Sequence, residues 1–259
     1  MKRVFKIFSF LSALMFSAHI QAQQSLLLVG GGLRAPVALK EWISASPTSS
    51  PRIMIITWAS ALKKADYEKS IMADLSALGV KDFLFSRDIT NNFEKSEFIQ
   101  SLSSATHIFF SGGNQTLIMN ILNQNPQLMN LLKQAYWKRN IPVAGTSAGT
   151  GVQAELMITG DNQPLEPGLG FLPESVIDQH FFKRARQDRL RTYMNEAPDN
   201  FFGVGVDEDG SILFKRDPKT KKFKGQVLGD KKVMIIDRIQ NGKRNERILG
   251  NLKCIGLFR

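Results

Sequence analysis

Residues 141–149 read Ile-Pro-Val-Ala-Gly-Thr-Ser-Ala-Gly, an apolar run followed at once by the pattern G-x-S-x-G. The run Ile141–Ala144 predicts a buried strand, and the small residues around Ser147 permit a sharp strand-to-helix turn that exposes the serine hydroxyl. The helix after such a turn points backbone N–H groups toward developing negative charge. The stretch therefore predicts an α/β protein with Ser147 as nucleophile; the alternative is a glycine-rich turn that happens to contain a serine.

Apolar strand runs and amphipathic helices alternate around this turn, which predicts a mostly parallel sheet with helices on both faces. Beyond about residue 201 the strands follow one another closely. That spacing predicts a C-terminal antiparallel extension, and we expect residues 23–259 to form a single domain. The predicted strands are Ser25–Val29, Arg52–Thr57, Phe83–Phe85, His107–Phe110 and Ile141–Ala144, then Phe202–Val206, Ser211–Lys215, Gly225–Gly229 and Lys232–Asp237. The predicted helices are Val37–Ala45, Ala65–Leu78, Lys95–Leu102 and Thr116–Lys138, the last interrupted at Pro126.

The overall charge suggests an anionic partner until its distribution is considered. The chain has 259 residues, 43% of them apolar, and a formal net charge of +11. Residues 23–214 hold 17 basic and 19 acidic residues, whereas residues 215–259 hold 14 basic and 4 acidic. The basic segment lacks the interleaved aromatic residues of a nucleic-acid interface, so we expect no nucleic-acid partner.

The first 22 residues have the layout of a secretory signal peptide. Lys2, Arg3 and Lys6 precede a mostly apolar stretch that is too short for a comfortable membrane span, and a short polar stretch ends at Ala22. No cysteine lies near this cleavage point, which excludes a lipoprotein anchor. We expect an exported protein, periplasmic or secreted, without a stable membrane anchor; an uncleaved N-terminal anchor is the alternative.

A nucleophilic serine needs a base, and the chain has three histidines. His19 leaves with the signal peptide. His107 opens an apolar strand and is more typical of a packed histidine. His180 follows the short apolar run at 176–177, where a strand-end loop can reach back to Ser147, so His180 is the favoured base.

The residues alone do not decide which acid would orient the imidazole. Glu155 falls within the predicted helix after the turn, while Glu174 and Asp178 are close to His180 along the chain. Asp161 and Glu166 lie in the Gly/Pro-rich loop GDNQPLEPG, which can be shaped around a site. Together, the serine turn, the base and this loop indicate acyl transfer through a covalent ester.

Two further segments suit such a site, and the glycine-rich loops and the cysteine count indicate no cofactor. The loop at 112–115 offers backbone N–H groups for an oxyanion, and the basic run at 183–191 offers carboxylate clamps, although a solvated helix face is the alternative. The loop Gly30–Gly32 lacks the later glycines of a dinucleotide site, and no phosphate-binding lysine follows any glycine-rich loop. One cysteine, Cys254, excludes a Cys-rich zinc site. We therefore expect no metal and no organic cofactor.

These segments together resemble the cyanophycinase and aspartyl dipeptidase (peptidase E) family of serine peptidases, on the cyanophycinase-like branch. The resemblance covers nearly all of residues 23–259. It implies a flavodoxin-like sheet of the class I glutamine amidotransferase type, with serine in place of that class's cysteine, and a possible homodimer. The segments that carry it are SGGNQ at 111–115, GTSAG at 145–149, EPGLGFLP at 166–173, DQHFFKRARQDRL at 178–190 and GVGVDEDGSIL at 203–213.

The resemblance also implies roles at matching positions. Ser147 matches the nucleophile and His180 the base, while Gly113 and Ala148 match the residues whose amides form the oxyanion hole. The loop between Ser147 and His180 is shorter than the cyanophycinase pattern; Asp161 lies near the dipeptidase-like position of the triad acid, with Glu166 in reserve. The residues that match the holders of a β-aspartyl-arginine unit are Gln115, Arg184, Arg186 and Arg189.

The expected function is that of an exported serine exopeptidase that hydrolyses a β-linked aspartyl-arginine polymer, cyanophycin, to dipeptides. An α-aspartyl or isoaspartyl dipeptidase is the alternative within hydrolases. A non-catalytic binding protein on a peptidase scaffold is the alternative from another class.

Overall fold

The computed structural model of the chain describes residues 23–256. The predicted signal peptide, residues 1–22, lies outside these described residues, as do residues 257–259. Within them the strands are β1 (Ser25–Val29), β2 (Arg52–Ile56), β3 (Asp82–Ser86), β4 (His107–Phe110), β5 (Val143–Thr146), β6 (Ala154–Met157), β7 (Glu166–Pro167), β8 (Leu172–Gln179), β9 (Phe202–Val206), β10 (Ser211–Arg216), β11 (Phe223–Leu228), β12 (Val233–Ile236), β13 (Glu246–Leu249) and β14 (Cys254–Gly256). The helices are α1 (Pro36–Ile43), α2 (Lys64–Ser76), α3 (Asn92–Ser104), α4 (Gln115–Gln124), α5 (Pro126–Trp137), α6 (Ala148–Gly151) and α7 (Gln187–Glu196).

A parallel sheet forms the body of the fold, because five apolar runs are buried on both faces. Its strands lie in the order β1-β5-β4-β2-β3, and all of these neighbours pair in parallel. Trp42 of α1 and Leu75 of α2 pack on one face, whereas Phe98 of α3 and Leu132 of α5 belong to the core on the other. This arrangement confirms the predicted α/β class with helices on both faces.

The C-terminal strands extend this sheet only in part. Strands β10, β11 and β14 continue it beyond β1 through antiparallel pairs. Strands β9 and β12 instead belong to a second sheet of six strands, in the order β13-β12-β9-β8-β6-β7. The expected antiparallel extension is therefore confirmed for β10 and β11, whereas β9 and β12 belong to the other sheet. The sequence could not show this division, because pairing between strands far apart in the chain leaves no local pattern.

His107 is a packed histidine on β4. Its side chain is fully buried, with Nε2 3.0 Å from the Ile43 carbonyl oxygen and Nδ1 2.9 Å from the Thr106 hydroxyl. The ring also meets the edge of Trp42, with 4.9 Å between centroids. Because a carbonyl only accepts, Nε2 carries the proton of a neutral ring. Burial lowers the pKa of His107 to about 4.

This buried imidazole makes stability depend on pH. Between pH 6.5 and 4 the unfolded chain binds a proton at His107 that the folded protein does not, so its stabilising contribution is complete above about pH 6.5 and is lost as the pH falls. The loss amounts to about 3 kcal/mol. We expect the free energies of unfolding of wild type and His107→Gln to converge by this amount between pH 7 and pH 4 in urea titrations. Curves that stay parallel would show that the buried ring does not titrate as described.

Candidate active site

Ser147 lies on the sharp turn between β5 and α6. Its backbone is left-handed, with φ 52°, and its N–H donates to the Val29 carbonyl at 2.9 Å. The flanking glycines leave room for this turn: a Cβ on Gly145 would lie 2.1 Å from the Gly149 carbonyl oxygen, and a Cβ on Gly149 would lie 2.3 Å from that of Phe110. The small residues of the motif are therefore required by close backbone approach on both sides of the serine.

His180 is the first residue after β8 and reaches Ser147 from the second sheet. Its Nε2 lies 2.7 Å from the Ser147 Oγ, and its backbone N–H donates to the Gly30 carbonyl at 2.9 Å. The ring lies against Gly31, where a Cβ would come within 2.2 Å of the His180 Cε1. The structure thus brings together the predicted nucleophile and the predicted base.

Glu208 occupies the position of the orienting acid. Its Oε1 lies 2.8 Å from the His180 Nδ1. The two residues meet because β8 and β9 pair in parallel with Gln179 opposite Val206, so the residues just beyond each strand lie at the same edge of the sheet. The sequence predictions considered only carboxylates between Ser147 and His180 and so missed Glu208. A signal was present, since three consecutive acidic residues, 207–209, directly follow a predicted strand.

The expectation that Asp161 orients the imidazole is wrong, and so is the reserve choice Glu166. Asp161 is exposed and accepts a hydrogen bond from Arg189 at 2.8 Å. Glu166 lies in β7, which pairs with β6 at the edge of the second sheet. Neither carboxylate contacts His180, whose Nδ1 is already bound by Glu208.

The surroundings of His180 favour the neutral imidazole that a base requires. Burial lowers the pKa of His180 below its ordinary value; the hydrogen bond to Glu208 raises it, and the positive charge of Arg184 lowers it. The carboxylate of Glu208 accepts a hydrogen bond from the His180 Nδ1–H, which leaves the lone pair of Nε2 directed at the Ser147 hydroxyl. In this arrangement His180 can take the serine proton, and Glu208 stabilises the imidazolium that results.

Gly113 and Ala148, the predicted oxyanion residues, lie beside the serine. Ala148 directly follows Ser147 and is the first residue of α6, so helical bonding leaves its N–H unused. Gly113 lies on the cavity wall after β4, and no acceptor among the described residues binds its N–H. Gly113 must be glycine, because a Cβ there would lie 2.1 Å from the Ala59 carbonyl oxygen. The oxyanion role of both amides stays a prediction.

A cavity of about 530 Å³ opens above the serine and is lined by the four predicted substrate residues. Gln115 is buried, and its side-chain amide donates to the Ile158 carbonyl. Arg184, by contrast, is exposed, and no hydrogen bond or ion pair engages its guanidinium within residues 23–256. Arg184 is thus the cation of this cavity that is free to meet a ligand.

Arg186 and Arg189 are held by the fully buried carboxylate of Asp178. The Nε of Arg189 lies 2.9 Å from the Asp178 Oδ2, and its Nη2 also contacts Asp178. Arg186 donates from Nη1 to the Asp178 Oδ1 at 3.3 Å and to the Gln179 carbonyl at 2.8 Å. Asp178 therefore fixes two guanidinium groups and offsets part of their charge, while each keeps N–H groups for a ligand.

The described part of the chain contains no cluster of three or more His, Cys, Asp or Glu side chains placed to hold a metal ion. None of its helices combines the length and the apolar character needed to span a bilayer.

A serine on a strained turn, a histidine and a carboxylate, hydrogen-bonded in series at the edge of a cavity, form the arrangement of serine hydrolases. Residues 26–222 match the model of peptidase family S51. The chain belongs to this family.

Curated relatives are similar to this chain in sequence, and a solved structure is similar to it in fold. The chain is 32% identical over 238 residues to a cyanophycinase of Geminocystis herdmanii, covering 84% of this chain and 82% of that protein. It is 34% identical over 166 residues to a cyanophycinase of Trichormus variabilis, covering 61% of this chain but only 53% of that relative, about half its length. The fold is similar to that of a peptidase from an acI-B1 actinobacterium, with a TM-score of 0.69 at 23% identity, over 91% of this chain and 98% of that one.

The position of Glu208 predicts that it acts through His180. We expect Glu208→Gln to slow the labelling of Ser147 by a fluorophosphonate probe by about three orders of magnitude, because the imidazole loses its orientation. The hydrogen bond to Glu208 raises the pKa of His180, so the pH profile of labelling is also expected to shift to lower pH in this variant. The measurement is the labelling rate of each purified protein as a function of pH.

Asp161→Asn is the matched control for Glu208→Gln, since each variant removes one carboxylate charge from the cavity region. We expect a far smaller loss in Asp161→Asn and no shift of its pH profile. A loss in Asp161→Asn as large as that in Glu208→Gln would contradict the assignment of Glu208.

Proposed function

We propose that this protein is an exported serine exopeptidase that hydrolyses cyanophycin, a polymer of β-linked aspartyl-arginine units, to dipeptides. The observation that carries the proposal is the hydrogen-bonded series from Ser147 through His180 to Glu208, with distances of 2.7 and 2.8 Å, beside an arginine-lined cavity. Membership of peptidase family S51 supports the reaction class. The relatives that are cyanophycinases support the choice of substrate.

Formation of an acyl-enzyme is the first half of the proposed reaction. His180 takes the proton of the Ser147 hydroxyl at Nε2 while Oγ attacks the scissile carbonyl carbon. The negative charge on the carbonyl oxygen is held by the N–H groups of Gly113 and Ala148. The tetrahedral intermediate then collapses: its bond to the leaving amine breaks, and the amine departs with the proton from Nε2.

Hydrolysis of the resulting ester completes the cycle. Water gives a proton to the His180 Nε2 and adds to the ester carbonyl, the bond to the Ser147 Oγ breaks, and the serine recovers its proton. Glu208 keeps the imidazole in one orientation through both halves. In the proposed reaction every proton moves through His180.

The free guanidinium of Arg184 supports an acidic substrate. Arginine binds carboxylates with paired N–H donors, and each β-aspartyl-arginine unit of the polymer carries the free carboxylate of its arginine. Hydrogen bonds to Asp178 and the Gln179 carbonyl hold Arg186 and Arg189 in place, and each guanidinium keeps unused N–H donors. Both side chains can therefore bind a substrate carboxylate with little further loss of conformational entropy.

Export is proposed from residues 1–22, whose basic start, apolar stretch and end at Ala22 have the layout of a secretory signal peptide. Cleavage after Ala22 leaves a chain that begins at Gln23. The proposed site of action is therefore the periplasm or the medium.

Hydrolysis of purified cyanophycin tests this function directly. We expect the wild-type enzyme to release β-aspartyl-arginine dipeptides and Ser147→Ala to release none, because the variant lacks the attacking oxygen. The measurement is dipeptide release by mass spectrometry. Sequencing the N-terminus of the exported enzyme in the same experiment tests export, with Gln23 expected at the first position and an intact residue 1 contradicting it.

The other outcomes separate the remaining functions. Equal release by Ser147→Ala would exclude the mechanism. Absence of release by either protein, combined with hydrolysis of Asp-X or isoAsp-X dipeptides by the wild type, would instead indicate a dipeptidase. Failure of Ser147 to react with a serine-directed probe would indicate a non-catalytic binding protein.

A further inference from the structure

A second groove adjoins the catalytic cavity across a ridge of arginines. The groove has a volume of about 730 Å³, compared with about 530 Å³ for the cavity above Ser147. The two spaces share four lining residues, Asp161, Arg184, Arg186 and Arg189. A ligand bound at Ser147 that is long enough to pass this ridge therefore enters the groove directly.

One face of helix α7 lines the groove along its length. Arg189, Thr192, Tyr193 and Glu196 all line it, and their spacing of three and four residues places them on the same side of the helix. Glu196 lies seven residues beyond Arg189, which is about 10 Å along the helix axis. This face of α7 therefore runs from the edge of the catalytic cavity at Arg189 to the carboxylate of Glu196 at the far end of the groove.

The opposite wall is the segment of residues 161–164, and α7 holds it in place. The Tyr193 hydroxyl donates to a carbonyl of this region, with the Gly160 and Gln163 carbonyl oxygens at 2.6 and 2.8 Å. Arg189 donates to Asp161 at 2.8 Å. These hydrogen bonds hold the segment of residues 161–164 against α7, so both sides of the groove have a defined position.

The charges of the groove are divided between its two ends. Near the serine, Arg184 is exposed and carries no ion pair within the described residues, whereas Arg186 and Arg189 share the carboxylate of Asp178. At the far end Glu196 is exposed, and it too has no hydrogen bond or ion pair in the described part of the chain. Among the described residues that line it, the groove thus presents one cation, Arg184, and one anion, Glu196, without an ion pair.

We propose that this groove is a second subsite, which binds a β-aspartyl-arginine unit of an oligomeric substrate beyond the two units that the scissile bond joins. Such a unit carries both a carboxylate and a guanidinium, and it fits a groove with Arg184 at one end and Glu196 at the other. Arg184 pairs with the carboxylate and Glu196 with the guanidinium. The inference rests on the proposed function, since it names how a polymer of the same substrate is held.

Oligomers of defined length test the second subsite. The experiment compares kcat/KM for (β-Asp-Arg)2 and (β-Asp-Arg)4 in the wild type, Glu196→Gln and Glu97→Gln. Glu97 is an exposed glutamate on α3 that does not line either space, so it controls for the loss of one surface carboxylate. We expect the preference of the wild type for the longer oligomer to fall about fivefold in Glu196→Gln and to persist in Glu97→Gln.

Affinity gives a second readout that does not depend on turnover. In the Ser147→Ala background, calorimetry is expected to show (β-Asp-Arg)4 binding about fivefold more weakly when Glu196→Gln is added, and unchanged when Glu97→Gln is added. Equal oligomer preference and equal affinity in all variants, with the wild type still cleaving both oligomers, would overturn the second subsite and leave the proposed function intact. Failure of the wild type to cleave or bind either oligomer would overturn both.

Discussion

The backbone contact of Gly30 and Gly31 with the loops that follow β8 and β9 is the constraint on which the site depends. The Gly30 N–H donates to the Gly210 carbonyl at 3.1 Å, the Gly30 carbonyl accepts from His180 at 2.9 Å, and the Gly31 carbonyl accepts from Asp209 at 2.8 Å. Ser147 follows β5 of the first sheet, whereas His180 and Glu208 follow β8 and β9 of the second, so these contacts set their relative positions. A side chain has no room here, since a Cβ on Gly30 would lie 2.0 Å from the Asp207 carbonyl oxygen.

The same junction stabilises two strained residues. Ser147 and His180 both have φ 52°, a left-handed conformation that costs about 1–2 kcal/mol for a residue with a side chain. Each is anchored by its own N–H, Ser147 to Val29 and His180 to Gly30. The strained backbone turns both side chains toward each other across the sheet boundary, which is how a hydrogen bond of 2.7 Å forms between groups carried by different sheets.

Local signals in the sequence predicted the central parallel sheet and two of the three residues of the triad. The apolar runs predicted β1 to β5. The G-x-S-x-G pattern predicted Ser147 as nucleophile, and the position of His180 at a strand end predicted it as base. Glu208 was not predicted, because its contact with His180 depends on the parallel pairing of β8 with β9, and that pairing joins segments whose separation leaves no local pattern. Asp161 was chosen because the resemblance places the triad acid between Ser147 and His180, whereas the register of β8 and β9 shows that Glu208 is the carboxylate that reaches the imidazole.

The labelling rate of Ser147 in Gly31→Ala tests this account most directly, with Gly250→Ala as the matched control. A Cβ on Gly31 would lie 2.2 Å from the His180 Cε1 at a φ of 126°, whereas a Cβ on Gly250 meets nothing within 4 Å. In folded proteins, verified by their thermal transitions, we expect Gly31→Ala to react with a fluorophosphonate at least about a hundredfold more slowly than wild type, because the imidazole is displaced. We expect Gly250→Ala to react at the wild-type rate. Labelling of folded Gly31→Ala at the wild-type rate would contradict the claim that the glycine junction positions the base.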